Sequence, residues 1–194
     1  MEITSAQIKE LRDKTGISVM QCKKSLEEAG GDMDKAVIIL KKKRSEAAEK
    51  KSDRELASGS VGVYIHNTNE VASMVLLACE TDFVSKNPEF VQLAKEIAMQ
   101  VAATAPNFIT KSELPEETLQ KVKEVFAPEV EGKPEEMKEK IMEGKLASYF
   151  REQILMEQPF IKNPDVTIAE MVNGAVQKFG ENVSIVKISR VSVK

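Results

Sequence analysis

Val71-Ala72-Ser73-Met74-Val75-Leu76-Leu77-Ala78-Cys79, followed at once by Glu80-Thr81-Asp82-Phe83-Val84-Ser85-Lys86-Asn87-Pro88, sets the pattern for the larger part of this chain. The first nine residues form an apolar run of the length usual for a buried strand and too short to cross a bilayer. Asn87-Pro88 predicts the cap and first residue of a helix, where proline's missing N–H costs nothing. Phe83 therefore falls in the connection between a strand and a helix, a place from which a side chain is offered to a partner. The competing reading is that Phe83 and Val84 fold back to cover the end of the core, the commoner fate of a large apolar side chain.

Working outward, Ser60 to His66 alternates and is β-branched, and Asn67-Thr68-Asn69-Glu70 is a turn, so the two runs predict a β-hairpin. Downstream, a helix is expected from Pro88 to about Ala105, with Phe90, Leu93, Ala94, Ile97, Ala98 and Val101 on one face, closed by Pro106. Glu116 to Phe126 is a further helix entered through Pro115. Pro134 to Met142 and Leu146 to Met156 read as two amphipathic helices separated near Gly144. Thr167-Ile168-Ala169-Glu170 is a capping box opening a helix that ends at Phe179-Gly180. Asn182 to Val193 alternates again through Val183, Ile185, Ile188, Val191 and Val193, and is expected to pair with the hairpin. Strands and helices in this order argue for an α+β class, with helices packed on a small antiparallel sheet.

Upstream, the period changes to that of short helices. Thr4-Ser5-Ala6-Gln7 is a candidate capping box before Ile8 and Leu11, and Thr15-Gly16 breaks that helix. Ser18 can cap a second helix carrying Met20, Cys22 and Leu26, stopped by Gly30-Gly31. Asp32 caps a third with Ala36, Val37, Ile39 and Leu40. Lys41 to Arg54 holds seven basic and three acidic residues and is rich in helix formers. Without interleaved aromatics to stack bases, it reads as a solvated linker helix that leaves the first module free to reorient. The expected division is a three-helix domain over 1–42, a basic helical linker over 43–56 and an α+β core over 57–194.

Composition narrows the function. In 194 residues, 42% hydrophobic and 30% charged content describe a globular protein, and a net charge of −3 argues against wholesale nucleic-acid binding. Met1 to Glu10 has no apolar core segment, so no signal peptide is expected, and no run reaches the roughly 18 apolar residues of a membrane span. Cys22 and Cys79 fall in different modules, which is no disulfide framework, and both read as buried small apolar groups. A cytoplasmic location follows as the expectation. No enzyme is expected: the single histidine, His66, lies on a strand without a metal-spaced partner. No Gly-x-x-x-x-Gly-Lys-Ser/Thr loop or Gly-x-Ser-x-Gly elbow occurs, and acidic pairs such as Glu135-Glu136 sit on polar helices. No cofactor is expected.

Thr81-Asp82-Phe83-Val84 with Ser85-Lys86 resembles the signature of the elongation factor Ts family, the nucleotide exchange factors of the translation GTPase elongation factor Tu. Leu11-Arg12-Asp13-Lys14-Thr15-Gly16, then Met20, Lys23-Lys24 and Leu26, is similar to that family's amino-terminal block. Gln158-Pro159-Phe160 and Gly180-Glu181-Asn182 look like later landmarks, so the resemblance runs over nearly the whole chain. Departures are Ser25 where alanine is usual, Gln21 where an acid or similar residue is common, Ala78 where asparagine precedes the motif, and Gln100 where many members carry histidine. None touches the tetrad.

The resemblance implies a ubiquitin-associated-like shape for the three-helix module, with Leu11, Arg12, Val19 and Met20 docking on the GTPase's nucleotide-binding domain. It implies that Thr81, Asp82, Phe83 and Val84 disturb the magnesium and phosphate site of elongation factor Tu bound to GDP. GDP then leaves and GTP rebinds. Longer members carry two related core subdomains and this chain has length for one, so a homodimer is expected, with a monomer as the alternative. Two other readings stay open: a ribosome- or nucleic-acid-associated module using the basic linker, and a passive scaffold for ubiquitin-like folds.

Overall fold

The computed structural model describes residues 3–132 and 134–193; Met1, Glu2, Lys133 and Lys194, and the side chains of Glu135 and Glu136, lie outside the described residues. The first helix, α1 (Ser5–Thr15), starts at a complete capping box: Gln7 N donates to Thr4 Oγ1 at 3.3 Å and Thr4 N donates to Gln7 Oε1 at 3.0 Å. Gly16 ends it in the left-handed region at φ 68°. Ser18 caps α2 (Val19–Glu28), and Asp32 caps α3 (Met33–Glu49) by accepting from Lys35 N at 3.0 Å. Leu11, Ile17, Cys22, Leu26, Ala36 and Leu40 pack between these helices as one core.

β1 (Ser58–Ile65) and β2 (Val71–Cys79) form the expected hairpin. The one-turn helix α4 (Asp82–Ser85) leads into α5 (Pro88–Thr104). Then come α6 (Glu116–Val130), α7 (Glu135–Arg151), a two-strand hairpin of β3 (Pro159–Phe160) and β4 (Asn163–Thr167), α8 (Ile168–Phe179) and β5 (Val183–Ser192). Gly144 does not divide α7, because a glycine weakens a helix interior by about 1 kcal/mol without ending it. The segment expected as helix to Met156 leaves that form after Arg151, and Ile154 bridges to Phe108 instead. The β3–β4 hairpin went unseen because its strands are too short and polar for a period to show.

The main sheet is antiparallel in the order β1-β2-β5. The register sets Gly62 beside Val75 and Val75 beside Ile188, with an irregularity at Leu76/Leu77 that leaves Val186 unpaired on the β5 side. One face carries Val75, Leu77, Cys79, Val183 and Ile185 into a core shared with α5 and α8. α5 lies very close to β1, since a Cβ added at Gly62 would sit 2.1 Å from the Ala94 carbonyl oxygen. Side chains cross that contact as hydrogen bonds: Ser73 Oγ donates to the Ala98 carbonyl at 2.5 Å and Arg190 Nε to the Ala102 carbonyl at 3.0 Å. The opposite face leaves Val61, Val63, Ile65, Met74, Val186 and Val191 exposed.

The basic segment behaves differently from a solvated linker. Its first part is the end of α3, which packs on α8. Arg44 is half-buried there, donating from Nε to Gln177 Oε1 at 2.9 Å and from Nη2 to the Thr15 carbonyl at 2.5 Å. Burial pushes its pKa down from the ordinary arginine value, and Glu170 opposes that shift. Lys41 pairs with Glu170 at 2.8 Å. The amphipathic pattern of α3 up to Leu40 does not reveal these contacts, because their partners are distant in sequence, Thr15 by 29 residues and Gln177 by 133. No helix among the described residues is long and apolar enough to cross a membrane.

Gly62→Ala is expected to force α5 off the sheet and to destabilise the fold by about 1–3 kcal/mol or more, the cost of overpacking a close contact. Urea denaturation of the variant beside the wild type measures it.

Candidate functional site

The β2–β5 ladder ends at the pair Cys79 and Val183, and the next residues on each chain exchange side chains for backbone. Gly180 closes α8 at φ 75° and turns the chain so that Glu181 faces Glu80 and Thr81. Glu181 Oε2 accepts from Glu80 N at 3.1 Å and from Thr81 N at 3.0 Å, while its Oε1 accepts from the Thr81 hydroxyl at 2.5 Å. In return, Asn182 N donates to Glu80 Oε1 at 2.5 Å, and Arg54 pairs with the same oxygen at 3.2 Å. These partners hold the Glu80 carboxyl below the usual carboxylate range, the Asn182 N–H contributing most. Asn182 Nδ2 donates to the carbonyls of Ser52 at 3.2 Å and Arg54 at 3.0 Å, so the end of the tether is fixed to this corner.

Thr81 is extended at φ −124° and ψ 159° and occupies the cap position of α4 without capping it, its hydroxyl being committed to Glu181. The far end of α4 is anchored separately. Val84 is 8% exposed and belongs to the core, and Ser85 Oγ accepts from Ser58 Oγ at 2.8 Å and donates to the Asp82 carbonyl at 3.2 Å. Ser60 Oγ donates to the Ser85 carbonyl at 3.2 Å. Between these anchors Phe83 is 86% exposed. Asp82 stands beside it in a 2.7 Å ion pair with Lys86, whose hydrogen bond and charge lower the carboxyl's pKa from its ordinary value.

The fold-back alternative therefore divides between neighbours: Val84 covers the core and Phe83 does not. Leaving a phenylalanine in water forgoes about 1.5–3 kcal/mol of burial, a gain available to any partner that covers it.

On the first module, Val19 and Met20 in the opening turn of α2 are 52% and 68% exposed, and Arg12 is exposed on α1. Leu11 is a correction. It is 0% exposed, packed in the module's core, and cannot be a docking side chain. Its place in the sequence block reflects the scaffold under the surface. Ile38 on α3 is exposed and carried no sequence signal, since a lone apolar residue in an apolar run looks like core. His66 sits at the end of β1 with Nδ1 3.2 Å from the Tyr64 hydroxyl. No cluster of three or more His, Cys, Asp or Glu side chains arranged for a metal occurs among the described residues.

Glu80, Glu181, Asn182 and Arg54 went unassigned in the sequence. Gly180-Glu181-Asn182 stands out as a landmark, but a contact across a hundred residues leaves no periodic trace.

Fold and site together define an α+β protein in which a sheet-and-helix body holds one phenylalanine out to solvent beside an ionised aspartate. The family model described as Elongation factor TS matches residues 40–194. An elongation factor Ts of Thermodesulfovibrio yellowstonii is 46% identical over 194 residues, covering 100% of this chain and 97% of that protein. That of Heliobacterium modesticaldum is 45% identical over 190 residues, covering 97% and 88%, and that of a Synechococcus species 47% over 192 residues, covering 97% and 87%. The chain belongs to the elongation factor Ts family, and its role is in translation elongation.

Because Phe83 contributes no burial, Phe83→Ala should leave the thermal midpoint essentially unchanged, whereas Val84→Ala one position on should cost about 1–3 kcal/mol. Parallel thermal melts followed by circular dichroism make the comparison.

Proposed function

We propose that this chain is a guanine nucleotide exchange factor that binds elongation factor Tu carrying GDP and drives GDP out. The single observation that supports this most is an 86% exposed phenylalanine on a turn anchored at both ends. A rigid, solvent-facing aromatic gains from burial on a partner while giving up little conformational freedom. Phe83 acts as an apolar wedge near the GTPase's magnesium site. Asp82, ionised beside Lys86, competes for the hydrogen bonds and charge that organise the ion's ligands. Thr81 and Val84 hold the turn. None of this requires chemistry of the chain's own: the factor is not an enzyme, and it acts by binding the empty GTPase more tightly than the GDP-bound one. By linkage it weakens GDP by the same factor as GDP weakens it, and abundant GTP refills the site.

Arg12, Val19 and Met20 supply a second contact on the GTPase's nucleotide-binding domain, with Leu11 beneath them as support. The competing nucleic-acid reading loses ground because the basic segment spends much of its charge on its own chain, Lys41 on Glu170, Lys43 on Glu28 and Arg54 on Glu80. The working place of such a factor is the cytoplasm.

Release of a fluorescent GDP from elongation factor Tu tests the reading. Phe83→Ala is expected to remove most of the acceleration, by an order of magnitude or more, and Met20→Ala to raise the concentration needed for half-maximal effect. Wild-type rates from a folded Phe83→Ala variant would end the wedge mechanism.

A second part of the proposal is that two copies pair through the uncovered sheet face. Val61, Val63, Ile65, Met74, Val186 and Val191 lie exposed on that face, an apolar area of the kind that marks an interface. β5 is also an edge strand, hydrogen-bonded on the sheet only to β2. A two-fold dimer closes such a surface on itself. Cys22 and Cys79 are both buried, so the pairing is non-covalent. Sedimentation equilibrium at micromolar concentration is expected to give twice the chain mass, falling to one in Met74→Glu. A single-chain mass for the wild type at all concentrations means a monomer.

A further inference from the structure

We propose that Glu181 is the positioning residue that sets the direction in which Phe83 points; this rests on the exchange-factor reading above. α4 has four residues, and its own helical hydrogen bonds are Ser85 N to the Thr81 carbonyl at 3.2 Å and Lys86 N to the Asp82 carbonyl at 3.1 Å. A single turn does not hold itself, since helix nucleation fixes several dihedrals for one bond. Its orientation is therefore imposed from outside.

The outside holds are of two kinds. At the C-terminal end, Val84 in the core and Ser85 on Ser58 and Ser60 fix where the turn re-enters the body. At the N-terminal end, the strand ladder has already stopped at Cys79, so the backbone N–H groups of Glu80 and Thr81 have no strand partner. One carboxylate takes both of them and the Thr81 hydroxyl as well. Three bonds to a charged acceptor are stronger than three to a neutral one and fix two consecutive residues in direction. Glu181 is itself placed by the left-handed Gly180 and by Asn182 N, which donates to Glu80 Oε1. The two acidic side chains thus continue the β2–β5 pairing past the end of the ladder. Phe83 begins two residues beyond that clamp. With the clamp gone, Thr81 keeps only the bonds its carbonyl accepts from Ser85 N at 3.2 Å and Cys79 Sγ at 3.2 Å, its N–H and hydroxyl lose their direction, and the phenyl ring samples a range of poses instead of meeting the GTPase in one.

The test uses the full chain and elongation factor Tu loaded with fluorescent GDP, measuring maximal release rate and half-saturating concentration. Glu181→Ala is expected to lower the maximal rate on the order of tenfold, short of the roughly 10²-fold that a 1 Å misplacement of a reacting group can cost, with a smaller change in half-saturation. Glu181→Gln is expected to retain most of the rate. Its carbonyl oxygen still accepts the two N–H groups and its amide donates to the Thr81 oxygen. In a Phe83→Ala background, Glu181→Ala should cause no further loss, because a residue acting only through Phe83 has nothing left to position. Amide exchange of Glu80 and Thr81 in the free protein should speed up in Glu181→Ala and stay slow in Glu181→Gln. If Glu181→Ala melts the fold, Thr81→Val removes one arm of the clamp and is read in the same two backgrounds.

Full activity in folded Glu181→Ala, an additive loss on top of Phe83→Ala, or equal losses from alanine and glutamine would each overturn the proposal. An unaffected rate in Phe83→Ala would end the wedge mechanism and the proposal with it, whereas no acceleration of GDP release by the wild-type chain would bring down the exchange-factor reading itself. Such a result is distinguishable because the amide exchange still reports whether the clamp exists.

Discussion

One layer of helices covers one face of a three-stranded sheet, and much of this molecule follows from that arrangement. α5 approaches β1 so closely at Gly62 that no side chain fits between them. That contact lets a small body bury Val75, Leu77, Phe90, Ile97 and Val101 in one core. The same economy leaves the other face open, with Val61, Val63, Ile65, Met74, Val186 and Val191 exposed on it. Hydrophobic burial thus stabilises the fold on one side and supplies a reason to associate on the other.

The central strand also decides where the Phe83 turn stands. β2 is hydrogen-bonded on both edges, which makes its end the best-held point of the sheet. Glu80 to Ser85 leaves from that point and is caught by Glu181 on one side and by Ser58 and Ser60 on the other. Phe83 is exposed, while Thr81, Val84 and Ser85 around it are hydrogen-bonded or buried. A protein that exposes an aromatic gives up burial energy in its own fold and offers it at an interface. A rigid offer loses less entropy on binding than a floppy one.

The first module is attached to the body by more than its chain. Arg44 reaches from α3 to the C-terminal end of α1 and to α8, so one guanidinium joins the two parts. At the other end of the tether, Asn182 holds the carbonyls of Ser52 and Arg54 at the corner that carries the Phe83 turn. The residues between are thus held at both ends by polar contacts, and Lys41, Lys43 and Arg54 pair with carboxylates of their own chain.

Local physics was enough for much of this. The capping boxes at Thr4 and Thr167, the caps at Ser18 and Asp32, the proline at the start of α5 and the alternation of β5 act within a few residues, so a single sequence carries them. The α+β class and the position of the Thr81-Asp82-Phe83-Val84 turn between strand and helix follow from that level. Periodicity could not separate Leu11, which is core, from Met20, which is surface, because in a three-helix bundle an apolar residue near a helix end suits either place. Nor could it show that Val84 turns in while Phe83 turns out. Those outcomes, the one-sided sheet, and the clamp joining Glu80 and Thr81 to Glu181 were decided only by tertiary structure. Each depends on which distant segment arrives alongside, and a carboxylate a hundred residues away becomes a partner only when the chain has folded it there.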